Sequence, residues 1–176
     1  MSKKEVLRTK NGKTAQEGGH LFQQRVQDIL SDAEKRHRVQ FIRLYDTRST
    51  QGGFLPEQKA DFTAVAQGNS WLIEAKASLV HESMAAGRGP LNDLISSHQA
   101  AAAKLWVRAG GHSLFVFHHL DSAYVELWPG EYVGEIYVTP RAHLDYQRCL
   151  RIPSSEKELA AELILTLKDP NRLRRT

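Results

Sequence analysis

Three residues carry the chemistry this sequence can offer. Asp61 stands between Ala60 and Phe62, while Glu74 and Lys76 end an otherwise apolar run that begins at Trp71. All three interrupt stretches that a packed sheet would keep apolar, and a buried carboxylate is costly unless it is paired or holds a metal. Two carboxylates that converge can share one divalent cation, and a lysine beside them can orient a water that the cation acidifies.

Whether the three meet depends on the hairpin between them. Residues 56–78 read as two short strands joined at Gly68-Asn69, a pair suited to the centre of a primed two-residue turn. Such a turn pairs Gln67 with Ser70, Val65 with Leu72, Thr63 with Glu74 and Asp61 with Lys76. Side chains alternate faces with period two, so all three charged residues fall on one face, with Asp61 and Glu74 diagonal neighbours roughly 7 to 8 Å apart. A slip by one residue would send the charges of the two strands to opposite faces. The competing reading is a surface hairpin with an ordinary ion pair between Asp61 and Lys76.

Other elements must hold this hairpin. Leu21, Phe22, Val26, Ile29 and Leu30 recur at helical spacing and predict an amphipathic helix over about 15–37, starting at Gly19 or His20 because Gly18-Gly19 weakens the first turn. Residues 39–45 alternate well enough for a first strand, and 46–59 read as a projecting loop. After a passage rich in glycine, Pro90 is placed to open a helix that Gly110-Gly111 stops, with His98 on the same stripe as Ile95, Ala102 and Leu105. Residues 112–118 and 123–128 read as two further strands, 136–138 as a short one and 141–147 as a short helix. Adjacent His118 and His119 would point to opposite faces of a strand, and nothing has zinc-site spacing. Ser155 and Glu158 form a capping box for a last helix that Pro170 ends. Helix, strand, hairpin, helix, strand, strand predicts an α/β fold, a mixed central sheet flanked by helices.

With 176 residues, 41% hydrophobic and 25% charged, the chain suits one globular domain over 15–168. It has no apolar run long enough for a bilayer, no signal-peptide pattern at its start and one cysteine, Cys149, so no membrane partner and a cytoplasmic location are expected. Net charge is +4, with basic residues crowded into 1–14 and at Arg172, Arg174 and Arg175. Residues 1–14 read as a flexible basic arm and 169–176 as a basic tail. Such ends suit a phosphate backbone, but solvated tails have the same composition, and neither is assigned a site.

Asp, a spacer and then Glu-x-Lys is the pattern of the PD-(D/E)xK nucleases, and the chain resembles that superfamily. Within it the resemblance is to the RecU-type Holliday junction resolvases. It rests on three blocks: Ala60-Asp61-Phe62 with a turn containing Gly68; Ile73-Glu74-Ala75-Lys76; and the stretch from Pro90-Leu91-Asn92 to His98-Gln99, followed by Gly111 and an apolar strand. The resemblance implies a restriction-endonuclease-like core and a homodimeric, nucleoid-associated endonuclease that uses Mg²⁺, or Mn²⁺, to nick opposed strands of four-way DNA junctions. It implies Asp61 and Glu74, with Ala75, as the metal-holding positions, Lys76 as the lysine that positions water, and Gln99 with His98 as polar support beside the site. Arg48, Lys59 and His98 are the DNA-contacting residues it suggests.

Two departures stand out. The acidic residue usual on the first helix is here Gln23, or its part is taken by Glu17, and the segment between the first two strands is short, as a shorter, virus-encoded relative would have it. Two other functions stay open on sequence alone: a nuclease of this class with another DNA target (restriction, repair or flap type), and a non-catalytic DNA-binding module.

Overall fold

The turn of the predicted hairpin lies one residue earlier than expected. In the computed structural model, which describes residues 3–44, 60–78, 95–120, 123–138 and 145–174, its two central residues are Gln67 and Gly68, with φ of 50° and 82°. Both lie in the left-handed region that a primed turn requires. Asn69 therefore opens the second strand, where its side-chain amide donates to the Lys168 carbonyl at 3.2 Å. Trp71 ties the same strand to the same helix end through Nε1 and the Leu167 carbonyl at 2.9 Å. These two bonds oppose the register that Gly68-Asn69 would set by itself.

The strands flanking the turn are β2 (Phe62–Ala66) and β3 (Asn69–Ser78), with Phe62 opposite Ile73 and Val65 opposite Ser70. This register differs from the expected one by two residues, which leaves every side chain on its expected face. Asp61, just before β2, comes level with Glu74 rather than Lys76, and its N–H donates to the Ile73 carbonyl at 3.1 Å.

Around this hairpin lies one six-stranded sheet in sequence order. β1 (Val39–Arg43) pairs antiparallel with β2, and β4 (His112–His119) runs parallel to β3. β5 (Tyr124–Pro129) and β6 (Leu150–Pro153) complete it, antiparallel. The one parallel pair needs a crossover, and α2 (Ser97–Arg108) lies within it. The mixed α/β sheet flanked by helices is thus as expected.

One face is covered by α1 (Lys3–His37) and α4 (Glu156–Lys168), whose Phe22, Val26, Leu30, Leu159 and Leu163 pack on Phe62, Trp71, Ile73 and Val116. The other carries α2 and α3 (Gly130–Val138), which bury Phe115, Phe117 and Trp128 beneath Ile95, Ala100, Ala103 and Val133. Among the described residues no helix is long and apolar enough to cross a membrane.

Several expectations are corrected. The first helix begins at Lys3, so Gly18-Gly19 lies within it. A Cβ at Gly18 would overlap the Leu120 side chain, so this glycine admits a neighbour rather than ending a helix. Residues 136–138 are helical, because α3 packs on α2 closely enough that a Cβ at Gly134 would come 3.0 Å from the Ala100 carbonyl oxygen. Its Tyr, Val and Ile content favours strand locally, and packing overrides that. β6 was not anticipated. Pro170–Arg174 form a 3₁₀ turn with Leu173 buried and Arg172 bonded to Glu162 at 2.6 Å. Pro90 and most of 141–147 lie outside the described residues.

Candidate active site

Glu74 is the most buried of the three candidate residues, with 3% of its surface exposed, on the face of β3 that α2 covers. That helix is held at its start by a capping box: Ser96 Oγ accepts from Gln99 N at 3.2 Å, and Gln99 Oε1 accepts from Ser96 N at 2.9 Å. With its oxygen fixed there, the Gln99 amide points its Nε2 at Glu74 Oε1, 2.5 Å away. Lys76 Nζ reaches the same oxygen at 2.6 Å. Among the described residues Glu74 Oε2 is buried with no hydrogen-bond partner, and the Asp61 N–H also acts on this carboxylate.

Asp61 sits level with Glu74 and receives donors from two directions. Ala75 N donates to Oδ2 at 2.8 Å, and Gln23 Nε2 reaches across from α1 to Oδ1 at 3.0 Å. Burial pushes Glu74 from its ordinary 4.5 up to about 8, helped by the charge of Asp61 and opposed by Lys76. Burial also raises Asp61, against the Ala75 N–H, the charges of Lys76 and Arg43, and the Gln23 amide. Two carboxyls held above their ordinary range, one with an orphaned oxygen, favour a bound proton or cation over bare ionisation. A divalent cation fits: Glu74 Oε2 and Asp61 are hard oxygen donors of the kind Mg²⁺ and Mn²⁺ take.

The structure thus brings together Asp61, Glu74, Lys76 and Gln99, and adds Gln23. Of the two first-helix candidates it is Gln23 that bonds Asp61, and Glu17 lies six residues away, about 9 Å along the axis and about a third of a turn round it. Ala75 contributes its N–H to Asp61. His98 is exposed on the first turn of α2, and the buried residues of that helix are Ala100, Ala102 and Ala103. Leu105 is exposed too, so the expected stripe through His98 and Leu105 is not the packed one. Arg48 and Lys59 lie outside the described residues. Among the described residues no three His, Cys, Asp or Glu side chains cluster as metal ligands, so the carboxylate pair stands without a third acid.

Sequence reasoning missed Ser96 and Arg43. Ser96 was legible as the first residue of a Ser-x-x-Gln capping box. Arg43 ends β1 opposite Phe62, bonds Gln27 one helical turn beyond Gln23, and acts electrostatically on Asp61. Its spacing gave no signal.

A second buried acid shares the sheet face. Lys76, Phe117, Glu126 and Arg151 lie level with one another on adjacent strands. Glu126 has both oxygens occupied, Oε1 by Arg151 Nε and Nη2 at 3.0 and 2.9 Å, and Oε2 by Trp128 Nε1 at 3.1 Å.

Fold and site together define a mixed α/β sheet with an acid pair and a lysine where the parallel strand β3 meets the hairpin. No family model matches the chain. No curated protein matches it. Among solved structures it is similar to Hjc of Archaeoglobus fulgidus, a Holliday junction resolvase from an archaeal hyperthermophile. The TM-score is 0.43 and the identity 17%, over 83% of this chain and 99% of that one.

Proposed function

We propose that the chain is a metal-dependent DNA endonuclease of the PD-(D/E)xK kind, and within it a RecU-type Holliday junction resolvase acting as a homodimer. The observation that carries the nuclease reading is the division of Glu74. One oxygen is bound by Lys76 and Gln99 while the other is buried with no hydrogen-bond partner among the described residues. An ordinary surface ion pair would leave neither acid buried, and a purely structural acid would have both oxygens satisfied, as Glu126 has.

Asp61 and Glu74 would hold Mg²⁺ or Mn²⁺, which supplies charge to polarise a phosphodiester and to acidify a water. The chain's own residues do the rest. Lys76, fixed by Glu74 Oε1, presents an ammonium next to the open oxygen, where it can orient the attacking water and offset charge developing on phosphate. Gln99 fixes the rotation of the Glu74 carboxylate, so the oxygen left open is always the same one. Gln23 and the Ala75 N–H do this for Asp61.

The narrower reading is supported by the third sequence block, because His98-Gln99 at its end is the part that delivers Gln99 to Glu74. Resolving a junction needs two symmetry-related nicks, which a two-fold dimer supplies. The test is cleavage of a four-way junction and of linear duplex, each with Mg²⁺ and with EDTA, by wild type and by Asp61→Asn. Metal-dependent symmetric nicking of the junction, lost in Asp61→Asn with DNA binding retained, is the expected result. Cleavage by Asp61→Asn at the wild-type rate overturns the site. Equal competition by linear duplex, or a monomeric DNA complex, overturns the resolvase reading and leaves a nuclease with another DNA target.

A further inference from the structure

Four carboxylate oxygens belong to the site, and three already have a donor fixed on them. Asp61 Oδ1 has the Gln23 amide and Oδ2 the Ala75 N–H, while Glu74 Oε1 has both Gln99 and Lys76. Among the described residues only Glu74 Oε2 is without a hydrogen-bond partner, inside a residue 3% exposed. The charges agree with this. When both carboxyls are ionised they face the ammonium of Lys76, and the guanidinium of Arg43 acts on Asp61 as well, so the ionised pair is close to balanced before any cation arrives. One divalent cation makes it positive, as suits a site that must take in a phosphodiester. A second would add positive charge that no further acid among the described residues offsets, which disfavours it.

We propose that this is a one-cation site, centred on Glu74 Oε2 with Asp61 beside it, and that Gln23 is the positioning residue that sets the limit. This rests on the nuclease reading above. Gln23 follows the buried Phe22 on α1, so its backbone is anchored in the core, and its amide N–H lies where a side-chain oxygen could instead ligate a metal. A donor there orients Asp61 without metal. A carboxylate there would press a third negative charge on Asp61, which a bound cation or a further proton would relieve.

The experiment counts Mn²⁺ bound per full-length chain without DNA, from the spin-resonance signal of the free ion, for wild type, Gln23→Glu and Gln23→Met. Wild type is expected to saturate at one Mn²⁺. Gln23→Glu should bind Mn²⁺ at least about tenfold more tightly, because affinity at such sites follows the number of charged ligands. Gln23→Met, which removes the donor and adds no charge, should stay within about threefold of wild type. Thermal unfolding in EDTA and in Mn²⁺ is the second measurement, with a larger rise on adding metal in Gln23→Glu than in wild type. Two ions per wild-type chain overturn the proposal, as does wild-type affinity in Gln23→Glu, an equal gain in Gln23→Met, or an equal rise in melting temperature. A wild-type chain that binds no Mn²⁺ and cuts no DNA overturns the nuclease reading itself, whereas one that cuts DNA with two ions bound overturns this proposal alone.

Discussion

Glu74→Gln tests the electrostatics of the site without DNA. The wild-type carboxyl titrates near 8 in the folded chain against 4.5 when unconstrained. Between those values the folded state keeps a proton that the unfolded state has released. The raised value therefore gives stability that is fully present below about 4.5 and is lost as pH rises through about 8. The difference of about 3.5 pH units corresponds to roughly 5 kcal/mol over the window, at about 1.4 kcal/mol per unit. For a chain of this length that is a fall in melting temperature of roughly 10 °C or more. Glutamine keeps the shape and the acceptor for Gln99 and Lys76 but cannot titrate. It places an amide NH₂ where Oε2 was, at a cost of about 1 to 3 kcal/mol that does not vary with pH. The readout is therefore the slope: melting curves by circular dichroism in EDTA at several pH values from 4.5 to 9, wild type minus Glu74→Gln, in which every group not coupled to Glu74 cancels and Asp61, its coupled neighbour, titrates with it. The wild type should lose stability relative to the variant as pH rises, and saturating Mn²⁺ should restore it in the wild type only. Parallel curves for the two proteins in EDTA would refute the argument, because Glu74 would then be ionised at no cost.

Three further outcomes follow from particular contacts. Lys76→Ala should lower the cleavage rate by orders of magnitude while Mn²⁺ titration still shows a bound ion, and loss of the ion would make the lysine structural instead. Ser96→Ala should cost about 1 kcal/mol of stability through the lost cap and also slow cleavage, because the Gln99 amide is aimed from that turn; an unchanged rate in a correctly folded variant would separate the cap from the site. DNA affinity should fall about tenfold or more for each few-fold rise in salt, measured by fluorescence anisotropy with the Asp61→Asn protein, and a flat dependence would exclude binding dominated by phosphate contacts.

The site was more legible in the sequence than the frame around it, for a physical reason. Asp61, Glu74 and Lys76 are conspicuous because charge in an apolar run is costly, and the alternation of strands carries their common face even through a two-residue error in register. The error itself came from placing the turn at Gly68-Asn69 on turn chemistry alone, when Asn69 and Trp71 are tied to the end of α4 more than ninety residues away. The same cause lies behind the other misreadings. α3 is helical because Gly134 lets it lie against α2, and the first helix runs through Gly18 because Leu120 fills the space beside it. Contacts remote in sequence decided each case, and local pattern could not show them. Gln23 was visible as a polar residue beside an apolar stripe, but its distance to Asp61 depends on how α1 lies on the sheet.

The two buried acids of the α2 face divide the sheet into regions with different tolerance to change. Glu126, closed by Arg151 and Trp128, fastens β5 to β6, and losing its partner would strand a charge in the interior at about 3 to 5 kcal/mol. Glu74, left half open on β3, is held by Gln99 and by Lys76 of its own strand, so exchanging its partners breaks no link between strands of the sheet. Such a sheet has room to change its chemistry: new ligands, a different ion or none at all can be tried along β1 to β3 while the far half keeps the chain folded.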